Sequence, residues 1–297
     1  MDKIMEKDIE TQIDVSIIIP TYNEESSIQK VISKIREVLT RDNLIYEIIV
    51  VNDGSQDNTN QQATAGGARV IDHAYNIGNG ASIKTGVRSA QGKQLVFMDG
   101  DGQHDPNEIP HLLEKLETYD MVVGARSRRS ETALHRDFAN WIYNLFASYV
   151  CNRKILDLTS GYRAIKTSIA REFLHLLPNT FSYPTTLTLA VSRSGYTFTY
   201  HPIIVSKRQG KSKIKLFQDG LRFLVIIFKI TTLFSPLKIF IPTSLSLFLL
   251  GFGYGLYKVV VLNSRYGPTS ALLMTIAGVV FLIGLISEQL TQLRYEK

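Results

Sequence analysis

Leu95-Val96-Phe97-Met98 runs straight into Asp99-Gly100-Asp101-Gly102-Gln103-His104. Four consecutive apolar residues bounded by polar ones read as a strand buried on both faces, as in a parallel sheet. Two carboxylates one residue apart at such a strand's carboxyl end can hold a hard divalent cation, Mg²⁺ or Mn²⁺, with positions left for phosphate oxygens. Ligands of open α/β sheets bind outside those carboxyl ends, so position and chemistry agree. Alone, a D-x-D is a weak signal whose plain alternative is a solvated acidic turn. An EF-hand calcium loop is excluded, because the places that require Gly and Glu hold His104 and Pro110.

The flanking chain repeats the motif of strand, then polar loop, then helix. Val15–Pro20 is β-branched and strand-like, followed by the loop Thr21-Tyr22-Asn23-Glu24-Glu25. Ser26 or Ser27 then caps a helix whose apolar positions are Ile28, Val31, Ile32, Ile35 and Val38–Leu39. Tyr46–Val51 is a second strand ending in Asn52-Asp53-Gly54-Ser55-Gln56-Asp57, and Arg69–Ile71 a short third. Asn76-Ile77-Gly78-Asn79-Gly80-Ala81 opens a helix through Arg88. Its glycines allow either a phosphate-approaching backbone or a plain tight turn; no P-loop, dehydrogenase or kinase fingerprint is present. This alternation predicts an α/β sheet with a nucleotide-type cleft.

After the acidic stretch, Pro106–Pro110 starts a helix, and Met121–Gly124 is a strand leading to Arg126, Arg128 and Arg129. The 133–150 segment is either a core helix or one lying at a membrane interface with Trp141 and tyrosines at headgroup level. Asp157-Leu158-Thr159-Ser160-Gly161-Tyr162-Arg163 is a polar patch, and Ser182-Tyr183-Pro184 opens a helix through Ser192. Lys207-Arg208-Gln209-Gly210-Lys211-Ser212-Lys213 is a cationic loop placed just before membrane-type sequence, where it can bind lipid phosphates.

Hydropathy is unevenly spread. Residues 214–234 read as a juxtamembrane amphipathic helix, and 235–297 as a transmembrane hairpin with spans at about 237–262 and 269–287. Lys229 and Lys238 on one side and Arg294 and Lys297 on the other outweigh Arg265 in the turn, which predicts both termini in the cytoplasm. The charged N-terminus has no apolar core of a secretory signal, so the first domain, 1–213, is expected to be cytoplasmic. A net charge of +6 suits an anionic partner, but no nucleic-acid motif appears. The single cysteine, Cys151, excludes an internal disulfide framework and is expected to be a buried thiol.

The segments Ile-Ile-Pro-Thr-Tyr-Asn-Glu (18–24), Val-Asn-Asp-Gly-Ser-Gln-Asp (51–57), 76–81, 99–104, 157–163 and 207–213, in that order, resemble the family 2 glycosyltransferases of GT-A fold. They are most similar to the polyprenyl-phosphate sugar transferases, the group of dolichol-phosphate mannose synthase and undecaprenyl-phosphate glucosyltransferases. The resemblance implies that Pro20, Tyr22, Asn23, Glu24 and Asp53 line the nucleotide pocket, and that Asp99, Asp101 and Gln103 surround a Mg²⁺ or Mn²⁺ ion and the donor diphosphate. It implies that Arg126, Arg136 and Arg208, with Lys213 in the same basic loop, meet the lipid phosphate. Asn52 stands where the family's commoner pattern has Asp, so the nucleotide contact is assigned to Asp53.

The expected reaction moves a hexose-type sugar from a GDP- or UDP-sugar to undecaprenyl or dolichyl phosphate, with inversion. Asp101 is expected at the leaving group, and Asp157 to orient acceptor or sugar, the alternative for Asp157 being a turn cap. Two other readings are a processive polysaccharide synthase and a non-catalytic membrane-anchored nucleotide-sugar sensor. The first typically carries Gln-x-x-Arg-Trp, whereas the lone Trp141 lies outside that context. A homo-oligomer is left open.

Overall fold

A computed structural model describes residues 12–127, 134–180, 182–205, 225, 228–229 and 231–295, and their side chains except 134–142 and 294–295. The chain divides into two units, Met1–Leu145 with Lys154–Leu216, and Phe146–Arg153 with Phe217–Lys297. Of the expected 214–234 helix, only residues 225, 228–229 and 231–234 are described.

The first unit is built on β1 (Val15–Thr21), every residue of which is buried. Ile17 and Ile19 face α1 (Ile28–Arg41), where Ile28, Val31, Ile32, Ile35 and Leu39 complete the core. On the opposite face Ile18 packs directly against Gly86 of α3 (Asn79–Ser89). Each isoleucine so buried contributes about 1.5–3 kcal/mol of transfer free energy. β2 (Tyr46–Asn52) and β4 (Gln94–Phe97) flank β1 in parallel, and β3 (Arg69–Asp72) extends the β2 side.

The sheet is mixed rather than parallel. Its order is β3-β2-β1-β4-β6-β5-β7, with β6 (Arg163–Lys166) antiparallel to both β4 and β5 (Met121–Arg126). β7 (Phe198–Ile203) pairs in parallel with β5. One edge therefore collects the loops after β1, β2, β3 and β4, the ends of β5 and β7, and the start of β6. The chain leaves β1 in one direction towards β2 and β3 and reaches β4 on the other side, which makes β1/β4 the topological switch point.

The remaining helices are α2 (Thr59–Ala65), α4 (Ile109–Leu116, after a 3₁₀ turn at Pro106–Glu108), α5 (Leu134–Cys151), α6 (Thr167–Glu172) and α7 (Tyr183–Arg193). One expectation is corrected locally. Ser27 is the N-cap residue of α1 but makes no side-chain cap; its hydroxyl crosses to the Gly100 carbonyl at 2.8 Å. The glycines at 78 and 80 admit the protein's own backbone: a Cβ at Gly80 would overlap the Pro178 carbonyl oxygen, and one at Gly78 that of Asn179.

The second unit carries α8 (Leu237–Val260) and α9 (Pro268–Tyr295), both long and apolar enough to cross a membrane. Only 17% of each apolar window is buried, so most of this surface faces outward. Close approach is local: Gly255 receives the Tyr266 ring, Gly284 receives Phe240, and Ser244 donates to the Ala277 carbonyl at 3.0 Å. At the start of α8, Lys238 Nζ donates to the carbonyls of Tyr149 and Val150, each at 2.7 Å, and to Asn152 Oδ1 at 2.6 Å. The Tyr149 hydroxyl returns a bond to the Lys238 carbonyl at 3.2 Å, so the clamp is reciprocal. Cys151 is buried and outside any disulfide, as expected.

Gly80→Ala is expected to lower the apparent Tm of the full chain in detergent by about 4–8 °C, because the obstruction is backbone and cannot swing away. Gly253→Ala, which meets nothing within 4 Å, should not lower it.

Candidate active site

Three groups of residues meet at the collecting edge. In the first, the loops after β1 and β2 are laced together. Asn23, at φ 57°, donates its backbone N–H to Ser55 Oγ at 2.9 Å and accepts from the Gln56 N–H at 2.9 Å through Oδ1. Glu24 N–H donates to Thr59 Oγ1 at 2.9 Å, and Glu25 N–H to Asp57 at 3.2 Å. Burial alone would raise Asp57, but hydrogen bonds from Thr59 and the Glu25 amide hold it below its ordinary value. Pro20 is buried at the end of β1, while Tyr22 and Glu24 are half-buried. The Asn23 side chain thus shapes the loop.

Asp53 sits behind this loop and is 3% exposed. Its Oδ1 accepts from His73 Nδ1 at 2.7 Å and from the Ile77 N–H at 3.0 Å, and its Oδ2 from the Gly78 N–H at 2.8 Å. The carboxylate therefore organises the loop after β3. Asn52, beside it, donates to Asp72 at 2.7 Å.

The second group is the acidic loop after β4. Asp99 and Asp101 are both half-buried. Asp99 packs against Gly161, its oxygens 3.5 and 3.6 Å from where a Cβ would stand, and beside it lies the buried Tyr183 hydroxyl, which reaches the Gly161 carbonyl at 3.5 Å. Burial, reinforced by the Asp99 charge, pushes the Tyr183 pKa upward, so the hydroxyl stays protonated. Asp101 Oδ1 accepts the Gln103 N–H at 3.1 Å across Gly102, which adopts φ 74°. The loop is then pinned by Tyr162, whose hydroxyl donates to the Asp105 carbonyl at 3.0 Å and whose ring stacks on His104 at 4.8 Å. Burial drives the His104 imidazole down to about 4, with Asp101 and Asp157 pulling the other way and Arg126 adding to the depression. His104 is neutral at pH 7 and within reach of all three charges.

The third group joins β5 to β6. Arg126 Nε and Nη2 each donate to Asp157 at 2.8 Å, a bidentate pair, and the Arg126 N–H adds a bond at 3.2 Å. Asp157 also accepts from the backbone N–H groups of Thr159 and Ser160 at 3.2 and 3.1 Å. Burial would raise its pKa, but Arg126 and these amides lower it. Both oxygens are engaged by hydrogen bonds. Asp157 therefore caps the 157–160 turn and positions Arg126. Arg163, fully buried behind it, donates to Pro184 and Ser160 carbonyls and to Thr188 Oγ1. The Arg136 side chain, Arg208 and Lys213 lie outside the described residues.

Among the described residues no three His, Cys, Asp or Glu side chains converge as a metal cage. The donor set at 99–103 is instead two half-buried carboxylates and an amide, all hard oxygen ligands. That set fits a Mg²⁺ or Mn²⁺ ion that takes its other ligands from diphosphate and water.

The family model for glycosyl transferase family 2 matches residues 16–174, over half of the chain. The chain belongs to glycosyl transferase family 2. The model for the GtrB C-terminal hairpin matches residues 235–293. Among curated relatives of this transferase, the dodecaprenyl-phosphate galacturonate synthase of Rhizobium johnstonii is 27% identical over 54% of this chain and 50% of its own. The undecaprenyl-phosphate 4-deoxy-4-formamido-L-arabinose transferase of Yersinia pestis is 27% identical over 86% of this chain and 78% of its own. The chain thus spans half the length of the first relative. The glucosyl-3-phosphoglycerate synthase of Mycobacterium tuberculosis, solved with Mn²⁺, UDP and phosphoglyceric acid, superposes with a TM-score of 0.61 over 74% of this chain and 78% of that one, at 20% identity. The family 2 transferase accordingly has the GT-A fold, with the mixed sheet described above.

Asp157→Asn should lower the apparent Tm markedly, since breaking a buried pair typically costs about 3–5 kcal/mol. The pH dependence has a definite sign. Asp157 is depressed below 3.8 in the folded chain, so its contribution is present above that value and lost as pH falls through the still lower folded pKa. The Tm difference between wild type and Asp157→Asn should stay constant from about pH 8 to 5 and shrink below about pH 4, as thermal denaturation across that range would record.

Proposed function

We propose that this family 2 transferase moves a sugar from a nucleoside-diphosphate sugar to the phosphate of a polyprenyl phosphate, with inversion, at the membrane face. The observation that carries the reading is the saturation of Asp157. A sugar hydroxyl acceptor needs a base, whereas a phosphate monoester is already anionic at neutral pH and needs positioning and charge complementarity. A guanidinium held by a bidentate carboxylate suits that task.

The tail supports a lipid acceptor. Each CH₂ of a prenol exposed to water costs about 0.8 kcal/mol, so such an acceptor stays in the bilayer and the site must come to it. The two named relatives act on dodecaprenyl and undecaprenyl phosphate carriers, and the hairpin match extends the similarity to the anchor.

In the proposed reaction the loops of 22–25 and 53–59 hold the nucleoside, and Asp99 and Asp101 face the donor diphosphate. A divalent cation bound by Asp101 and Asp99, with Gln103 beside them, would neutralise charge on the departing diphosphate. Neutral His104 and protonated Tyr183 keep the floor of the loop uncharged, so the carboxylates are not drawn into competing ion pairs there. Arg126, fixed by Asp157, would donate N–H groups from its edge to the acceptor phosphate; the resemblance to the family assigns Arg136, Arg208 and Lys213 to the same phosphate. Lys229, Lys238, Arg294, Lys297 and the 207–213 run outnumber Lys258 and Arg265 around the turn, which supports a cytoplasmic site and termini.

Detergent-purified chain, polyprenyl phosphate, Mg²⁺ or Mn²⁺ and a panel of labelled nucleotide sugars should yield labelled lipid from one donor. EDTA should abolish that transfer, and Asp101→Ala should reduce it on the order of 10²–10³-fold. Wild-type transfer by Asp101→Ala would overturn the role given to that residue. Nucleotide binding without transfer from any donor would favour a sensor.

A further inference from the structure

His73 stands one residue past β3, at the collecting edge, and neither the proposed chemistry nor the family motifs give it a role. Its side chain is 9% exposed and that of Asp53 4%. Nδ1 lies 2.7 Å from Asp53 Oδ1, and Nε2 lies 2.8 Å from Thr85 Oγ1 on α3. In the tautomer that donates from Nδ1 to the Asp53 carboxylate, Nε2 accepts from the Thr85 hydroxyl. The result is a chain of hydrogen bonds from α3 through the imidazole to the end of β2, with the Ile77 and Gly78 amides bound to the same carboxylate.

The chain closes around a short loop, 73–78. Tyr75 and Ile77 on that loop are 69% and 38% exposed, although the backbone between them is tied down at both ends. The Tyr75–Asn76 backbone also passes so close over Gly54 that a Cβ there would stand 2.6 Å from the Tyr75 carbonyl carbon. An exposed aromatic ring on an immobilised loop presents a flat face suited to a planar base. A buried carboxylate must also keep its hydrogen-bond donors to remain ionised without cost, and His73 supplies the only side-chain donor among those described.

We infer that His73 is a positioning residue for the donor: through Asp53 it holds the 73–78 loop as a preformed wall against which the nucleobase packs. The inference rests on the donor reading above and extends it. Preorganisation of this kind acts on ligand affinity, because an unfastened loop must be ordered when the ligand binds.

The test is isothermal calorimetry of UDP and of GDP, each with Mg²⁺, on the full chain in detergent, together with donor and acceptor KM values. His73→Phe keeps a ring of similar size and removes both nitrogens. It should weaken the preferred nucleotide about tenfold, the loss expected for one hydrogen bond to a charged group, and raise the donor KM alike while leaving the acceptor KM unchanged. His73→Asn places an amide N–H near the Nδ1 position and should recover most of the loss. Thr85→Val keeps the Asp53 contact but frees the ring's other end, and should give an intermediate loss; it carries the test if His73→Phe does not fold. Unchanged nucleotide affinity in His73→Phe, or in Thr85→Val where that variant stands alone, overturns the inference. So does an equal rise of both KM values unrelieved by His73→Asn. A wild-type chain that binds neither nucleotide overturns the donor reading, and the role of His73 with it.

Discussion

The reversal of β6 between β4 and β5 delivers Asp157, Thr159, Ser160 and Gly161 to the edge where the parallel strands leave their loops. A strand running the other way would place those residues at the far end of the sheet, about 13 Å away for four residues at strand rise. Because β6 begins there, Asp157 meets Arg126 at the end of β5, and Gly161 lies under Asp99 at the end of β4. Acidic loop and guanidinium are thereby neighbours by construction of the sheet, whatever the loops between them do.

Buried charge is the expense of that arrangement, and the protein meets it in three ways. Asp157 is matched by a cation and by backbone amides, Asp53 by amides and the His73 ring, and Arg163 by carbonyls and a hydroxyl. The first is a paired charge; Asp53 and Arg163 also lean on the fixed dipoles of backbone amides and carbonyls. Fixed dipoles keep their orientation when ligand arrives or leaves, so these groups act as rigid parts of the scaffold. His104, half-buried beside them, is left neutral and stacked.

Much of this was legible in the chain. The apolar runs within β1, β2, β4 and β5 announce themselves because strands covered on both faces are largely apolar. The acidic loop and Asp53 fall where those runs stop. What stayed hidden has physical causes. α2 has no apolar stripe, only Thr59 and Ala63 buried. β6 begins with an arginine that is buried through partners more than 20 residues distant in sequence at Pro184 and Thr188. β7 contains Pro202, which lowers its strand signal in sequence and which the edge of the sheet tolerates. Asp157 is singled out by the polar patch, yet its work as a turn cap and arginine holder depends on a contact 31 residues away. His73 gives no signal at all beyond its place after a strand.

The Lys238–Tyr149 clamp bears on what counts as a module in this chain. The last turn of α5, within Phe146–Arg153, belongs by its packing to the hairpin unit. Its terminal carbonyls, which every helix must satisfy at its end, are covered by a lysine nearly ninety residues later. A catalytic fragment cut anywhere before Leu237 would keep the helix and lose its cap. Exchange of hairpins between related transferases would therefore carry a hidden requirement: the incoming anchor must bring a cation at its first turn, and the recipient helix must end in a tyrosine able to answer it.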